Sequence, residues 1–221
     1  MDFINNISLI YTKNASAQDA PAMEKYMKNL FQFFGIKTDA RRALLRTAYA
    51  NHKKEIKDNS REIALQLYTK PQREYHYTAI ELLVKELKKN FREDDIKLIE
   101  HLIVTHSWWD SVDTIAKYLV GGYLQQYPEE TIAVITKFAD SENMWLNRCA
   151  ILFQLGYKSK TNTILLFNQC KKHRDSKEFF IQKAIGWALR EYAKTDAQAV
   201  KNFVTVANLK PLSSREALKN L

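Results

Sequence analysis

Residues 175–194 read DSKEFFIQKAIGWALREYAK, and their spacing decides the fold. On a 3.6-residue wheel Phe180, Ala184, Ile185, Ala188, Leu189 and Tyr192 gather on one side, while Lys183, Trp187, Arg190 and Lys194 gather on the other. That is an amphipathic helix, which needs neighbours to bury its stripe. Asp175 with Glu178 three residues on forms a capping box and sets the expected start. Working outward, only 5 Gly and 4 Pro in 221 residues leave little turn chemistry for a multi-stranded sheet, and no sustained period-two alternation occurs.

Start and stop signals continue the helical reading in both directions. Pro21, Pro71 and Pro128 suit first helical positions, where the missing amide hydrogen costs nothing. Ser107 with Asp110, Thr195 with Gln198 and Ser213 with Glu216 read as further capping boxes. Gly35 is expected to end the helix that begins near Pro21, and Gly121-Gly122 the helix that begins at Trp108. The stretch from Ser141 to Leu155 is apolar nearly all round and should be central. Trp109, Trp145 and Trp187 recur at roughly 40 residues, the range of helical-pair repeats of the HEAT type. The expected fold is all-α: one domain over 1–221, a curved superhelical solenoid of degenerate HEAT-like antiparallel helix pairs. A globular helical bundle is the alternative.

With 34 Lys and Arg against 25 Asp and Glu, the formal charge of +9 favours a polyanionic partner. Cys149 and Cys170 sit in apolar helical pattern with no paired spacing, as reduced core residues of a cytoplasmic protein would. The N-terminus lacks the regions of a secretory signal, and no stretch approaches the ~20 apolar residues that cross a bilayer, so no membrane role is expected. His52, His76, His101, His106 and His173 have no second ligand at metal spacing, and no Gly-rich phosphate loop or nucleophile elbow is present. Neither metal nor cofactor is expected.

Trp109 and Asp113 lie one helical turn apart and would offer a π surface and a negative charge to the same point, as a cationic ligand requires. The plainer reading makes the Trp a core residue and pairs Asp113 with Lys117 at i+4. Trp187 shifts the balance, because an indole among Lys183, Arg190 and Lys194 suits phosphate with base or sugar contact. Its alternative is packing under a neighbouring helix or under the stems of those cations. Arg148, alone in its apolar helix, either pairs with a carboxylate or reaches a surface where a phosphate can sit. Tyr26 reads as a polar-tipped core residue or a cleft contact, and Arg41-Arg42 as a solvated helix start.

Taken in order, several segments resemble the AlkD-like DNA glycosylases of bacterial alkylation repair, which are built from HEAT-like repeats. The segments are residues 23–29 with 31–36 and Arg41-Arg42, then Ser107 through Asp113, then Trp145-Leu-Asn-Arg148 with 150–155 and Tyr157-Lys158, then 176–194 and 211–218. The resemblance implies that Asp113 is the catalytic carboxylate and that Trp109 and Trp187 are indoles flanking the lesion. Tyr26 would lie near the damaged nucleotide, and Arg148 and Arg190 would hold the DNA backbone around it. Lys183 and Lys194 extend that basic surface. The implied activity is removal of cationic N3- and N7-alkylated purines from duplex DNA by a monomeric, monofunctional enzyme, without extruding the base. Gly156 departs from the pattern, since members often carry a basic residue there. The rival readings are a noncatalytic HEAT-repeat module that binds DNA by shape and charge, and a protein-binding scaffold.

Overall fold

A computed structural model describes residues 1–219 and 221. Among the described residues every regular element is helical, apart from one isolated bridge between Gln32 and Gln72. The chain divides into two compact units, Met1–Asn90 and Phe91–Leu221.

The first unit contains α1 (Phe3–Lys13), α2 (Ala20–Tyr26), α3 (Thr38–Asn51), α4 (Lys53–Tyr68) and α5 (Arg73–Glu86). Phe3, Ile7 and Tyr11 recur at i+4 and are fully buried, which turns α1 onto α3 and α4. Asp2 caps the helix by accepting from the Asn5 amide. Glu74, fully buried, accepts from the Phe34, Gly35 and Ile36 amides and so satisfies a loop that has no ladder of its own. Arg41 is not solvated: it is 3% exposed and donates both terminal nitrogens to Glu81 at 3.0 and 2.7 Å, while Arg42 shares that carboxylate from the surface.

The second unit contains α6 (Asp95–Val104), α7 (Trp109–Thr114), a π-helical segment (Ile115–Val120), α8 (Gly121–Gln126), α9 (Thr131–Asp140), α10 (Met144–Leu152), α11 (Thr163–Lys172), α12 (Phe179–Ala193), α13 (Ala197–Val206) and α14 (Pro211–Ala217). Helices α6, α7 and α8 pack on the π segment, α9 and α11 on α10, and α13 on α12 and α14, and α12 also meets α10 and α14. As its composition demands, α10 is central and touches α6, α7, α9, α11, α12 and the π segment. Cys149 and Cys170 are free thiols buried in this core. No helix among the described residues is long and apolar enough to cross a membrane.

Several expected boundaries move, and each move has a local cause. Gly121-Gly122 ends nothing: Gly121 is helical, and a Cβ there would lie 2.4 Å from the Phe153 carbonyl, so the glycine serves close packing. The helix after Pro21 stops at Tyr26, because Lys28 and Asn29 take left-handed φ of 58° and 57° well before Gly35. Pro71 lies outside α5, which starts at Arg73. None of the four capping boxes forms as read: the caps of α7, α12, α13 and α14 are Trp108, Glu178, Asp196 and Lys210. Ser107 Oγ donates to Ile103, and Ser213, inside α14, donates to the Gln182 carbonyl. In α12 the expected stripe holds at Ala184, Ile185, Ala188 and Leu189, whereas Tyr192 is only half-buried, and Phe180, also half-buried, lies seven residues before Trp187 and so about 20° from it on the wheel, on its face and not in the stripe.

Candidate functional site

The turn that launches α7 is built on Trp108. Its backbone is extended (φ −158°, ψ 159°), and its carbonyl accepts from the Val112 amide and from Ser111 Oγ at 3.0 and 3.1 Å. This closes the first turn without a side-chain cap and sets Trp109 and Asp113 one turn apart on α7. From α10, whose start is capped by Asn143 accepting from the Trp145 amide, Arg148 reaches across to the same carboxylate. Arg148 Nε donates to Asp113 Oδ1 at 2.7 Å and Nη2 to Oδ2 at 2.9 Å. Its remaining nitrogen, Nη1, donates to the Phe180 carbonyl in the first turn of α12. A single guanidinium therefore ties together α7, α10 and α12 through three donors, a use of the planar fork that lysine could not match.

The pair is nearly dry, with 5% of the Arg148 side chain and 14% of the Asp113 side chain exposed. Beneath it Trp108, Trp145 and Phe180 form an aromatic cluster, with ring centroids 5.1–5.8 Å apart. Burial pushes the Asp113 carboxyl above its ordinary range, Arg148 pulls it down, and Asp110 adds a smaller upward push. Cys149 lies close enough for the Asp113 charge to reinforce burial in holding its thiol well above the ordinary range. Of the two readings open for Arg148, pairing with a carboxylate is the one observed, and Arg148, not Lys117, is the partner of Asp113.

On α12, Trp187 is half-buried. The cations around it already have carboxylates. Lys183 Nζ lies 3.0 Å from Glu216 Oε1, Arg190 Nη1 lies 2.8 Å from Glu216 Oε2, and Lys194 lies 2.5 Å from Glu191. Gly156 (φ +88°), Lys158, Glu191, Lys194 and Thr195 line a cavity of about 300 Å³ near the end of α12. Tyr26 is the last residue of α2, 66% exposed, in the first unit.

Three participants escape the sequence reading. Trp108 looks like a neighbour of the functional Trp, yet its ring packs on Trp145 and Phe180, and its buried Nε1 has no hydrogen-bond partner among the described residues. Phe180 contributes through its carbonyl, which no side-chain pattern discloses. Glu216 reads as a capping residue and is instead the shared partner of Lys183 and Arg190.

A search of curated proteins gives no match. Among solved structures, a protein described as a predicted DNA alkylation repair enzyme from Enterococcus faecalis superposes with a TM-score of 0.82 at 33% sequence identity, over 94% of this chain and 96% of its own. The family profile described as DNA alkylation repair enzyme matches residues 10–221, a span that holds every residue of the Asp113–Arg148 centre and of α12. The chain belongs to the DNA alkylation repair enzyme family.

Proposed function

We propose that the protein is a DNA glycosylase that hydrolyses the N-glycosidic bond of cationic N3- and N7-alkylated purines in duplex DNA. The observation that carries the reading is Asp113: a carboxylate 14% exposed, gripped through both oxygens by Arg148, one turn after a Trp. Alkylation makes the purine a cation, so the bond to C1′ breaks with its electron pair leaving on the base, which becomes neutral. Positive charge then develops on the deoxyribose. A preorganised negative charge in a partly dry site stabilises that charge more than water does, because it need not reorient. The oxygen of a water then bonds to C1′, and its proton passes to Asp113 or to solvent. The indoles of Trp109 and Trp187 add attraction to the cationic sugar and base of about 0.5–2 kcal/mol each.

Arg148 serves this chemistry by aiming the carboxylate and by stabilising its ionised form. Lys194 and Lys158, beside the cavity near Gly156, are the proposed backbone contacts on this unit. Tyr26, in the first unit, is proposed separately as a contact to the nucleic acid. Asp113→Asn keeps the shape and an acceptor oxygen for Arg148 while removing the charge. It should release 7-methylguanine from methylated duplex about 10²-fold or more slowly with DNA affinity near wild type, while the fold persists at a lowered melting temperature because the buried Arg148 loses its counter-charge. Release at the wild-type rate would remove Asp113 from the chemistry. Binding of the duplex by wild type without any base release would instead identify a noncatalytic DNA-binding module.

A further inference from the structure

The two cations that bracket Trp187 along α12 are held by one acid from another helix. At about 100° per residue, Lys183 and Arg190 fall about 40–60° to one side of Trp187, Gly186 about 100° to the same side, and Phe180 about 20° to the other. On the Gly186 side α14 packs so closely that a Cβ on Gly186 would lie 2.3 Å from the Glu216 Cβ. This approach brings Glu216 Oε1 to Lys183 and Oε2 to Arg190, and Arg190 Nη1 also donates to the Glu216 carbonyl at 2.8 Å. The Glu216 side chain is 15% exposed. On the other side, the Phe180 carbonyl is fixed by Arg148 of the Asp113 pair. Trp187 thus stands between two acid-anchored points on one helix.

We infer that Glu216 is a positioning residue, which clamps Lys183 and Arg190 and thereby fixes the face that Trp187 presents to substrate. The inference rests on the role proposed above for Trp187. It also assigns Lys183 and Arg190 to the clamp instead of to DNA phosphates. The two bridges hold Glu216 ionised, with its carboxyl pulled down to about 2, so the clamp is charged throughout the range in which the protein would work. Lysine and arginine side chains lose much rotamer freedom when pinned, and sharing one carboxylate with a fixed helix pins both at once.

The test compares wild type with Glu216→Gln and Glu216→Asp, in the native background and with Trp187→Phe. Trp187 emission, taken as the difference between each protein and its Trp187→Phe counterpart, reports the clamp without any activity. Glu216→Gln should lower its anisotropy or shift its maximum, and Glu216→Asp should restore part of the wild-type signal. In single-turnover release of 7-methylguanine, Glu216→Gln should lower the rate constant about tenfold and leave DNA affinity within about twofold. Unchanged Trp187 emission in a folded Glu216→Gln protein would overturn the inference. So would tighter DNA binding at an unchanged rate, because Glu216 would then be masking phosphate-binding cations. If wild type releases no base but the emission changes as expected, the glycosylase reading fails and the clamp stands.

Discussion

Asp113 is under two opposed pulls, and its titration follows from their balance. Burial raises the carboxyl, and the two bonds from Arg148 lower it, with burial the larger effect. If the ionised form assists base release, the rate should fall on acidification through a midpoint above the ordinary Asp range, measured as the single-turnover rate against pH. Arg148→Met removes the downward pull, so the acid limb should move further up. The same variant leaves a buried charge without its partner, a defect worth about 3–5 kcal/mol at neutral pH. Here the sign is fixed by the raised folded pKa: protonation relieves the unpaired charge. The gap in melting temperature between wild type and Arg148→Met should therefore narrow as pH falls, and a gap that widened in acid would refute the assignment. Trp109 and Asp113 were legible as candidates from their spacing of one turn, and Trp187 from the basic residues that surround it in the pattern of α12. The partner of Arg148 was not, since the contact spans 35 positions and joins two helices whose packing no local pattern encodes.

At the level of elements, helicity was plain while helix ends were not. Periodicity reports the average environment of a dozen residues, whereas an end depends on a few dihedrals. A short polar residue three positions before an acid is compatible with a cap, yet Ser213 and Glu216 both sit inside α14 and bond to α12. Glycine is ambiguous for a related reason, because a missing Cβ serves a left-handed turn and a close helix contact equally. Gly121 and Gly186 belong to the second case: Cβ atoms there would lie 2.4 Å from the Phe153 carbonyl oxygen and 2.3 Å from the Glu216 Cβ. Gly121→Ala meets backbone and cannot be relieved by a rotamer change, so its denaturant midpoint should drop by an amount equivalent to about 1–3 kcal/mol. Were Gly121 an ordinary helical position with room for a methyl group, alanine would be neutral or stabilising. Gly186→Ala should show a comparable loss and should also disturb Trp187 emission, because it displaces the helix that carries Glu216.

Across the whole chain, a charge of +9 made a polyanionic partner legible, but composition cannot say which cations are available to it. Lys183, Arg190 and Lys194 each face a carboxylate, so bringing a phosphate to any of them means breaking an ion pair first. Lys158 has no carboxylate partner among the described residues and lines the cavity beside Gly156. Counterion release makes the logarithm of the DNA association constant fall with the logarithm of salt by about 0.9 per phosphate neutralised. Affinity for lesion-free duplex should therefore drop steeply from low to moderate salt, as read by fluorescence anisotropy of a labelled oligonucleotide. Lys158→Ala should reduce the slope by about 0.9, one phosphate's worth. Lys183→Ala should change it by much less, since the lysine it removes was neutralised within the protein and Arg190 remains on Glu216. A full unit lost on Lys183→Ala would mean that the bridge to Glu216 opens when DNA binds, and would return Lys183 to the phosphate-contacting surface.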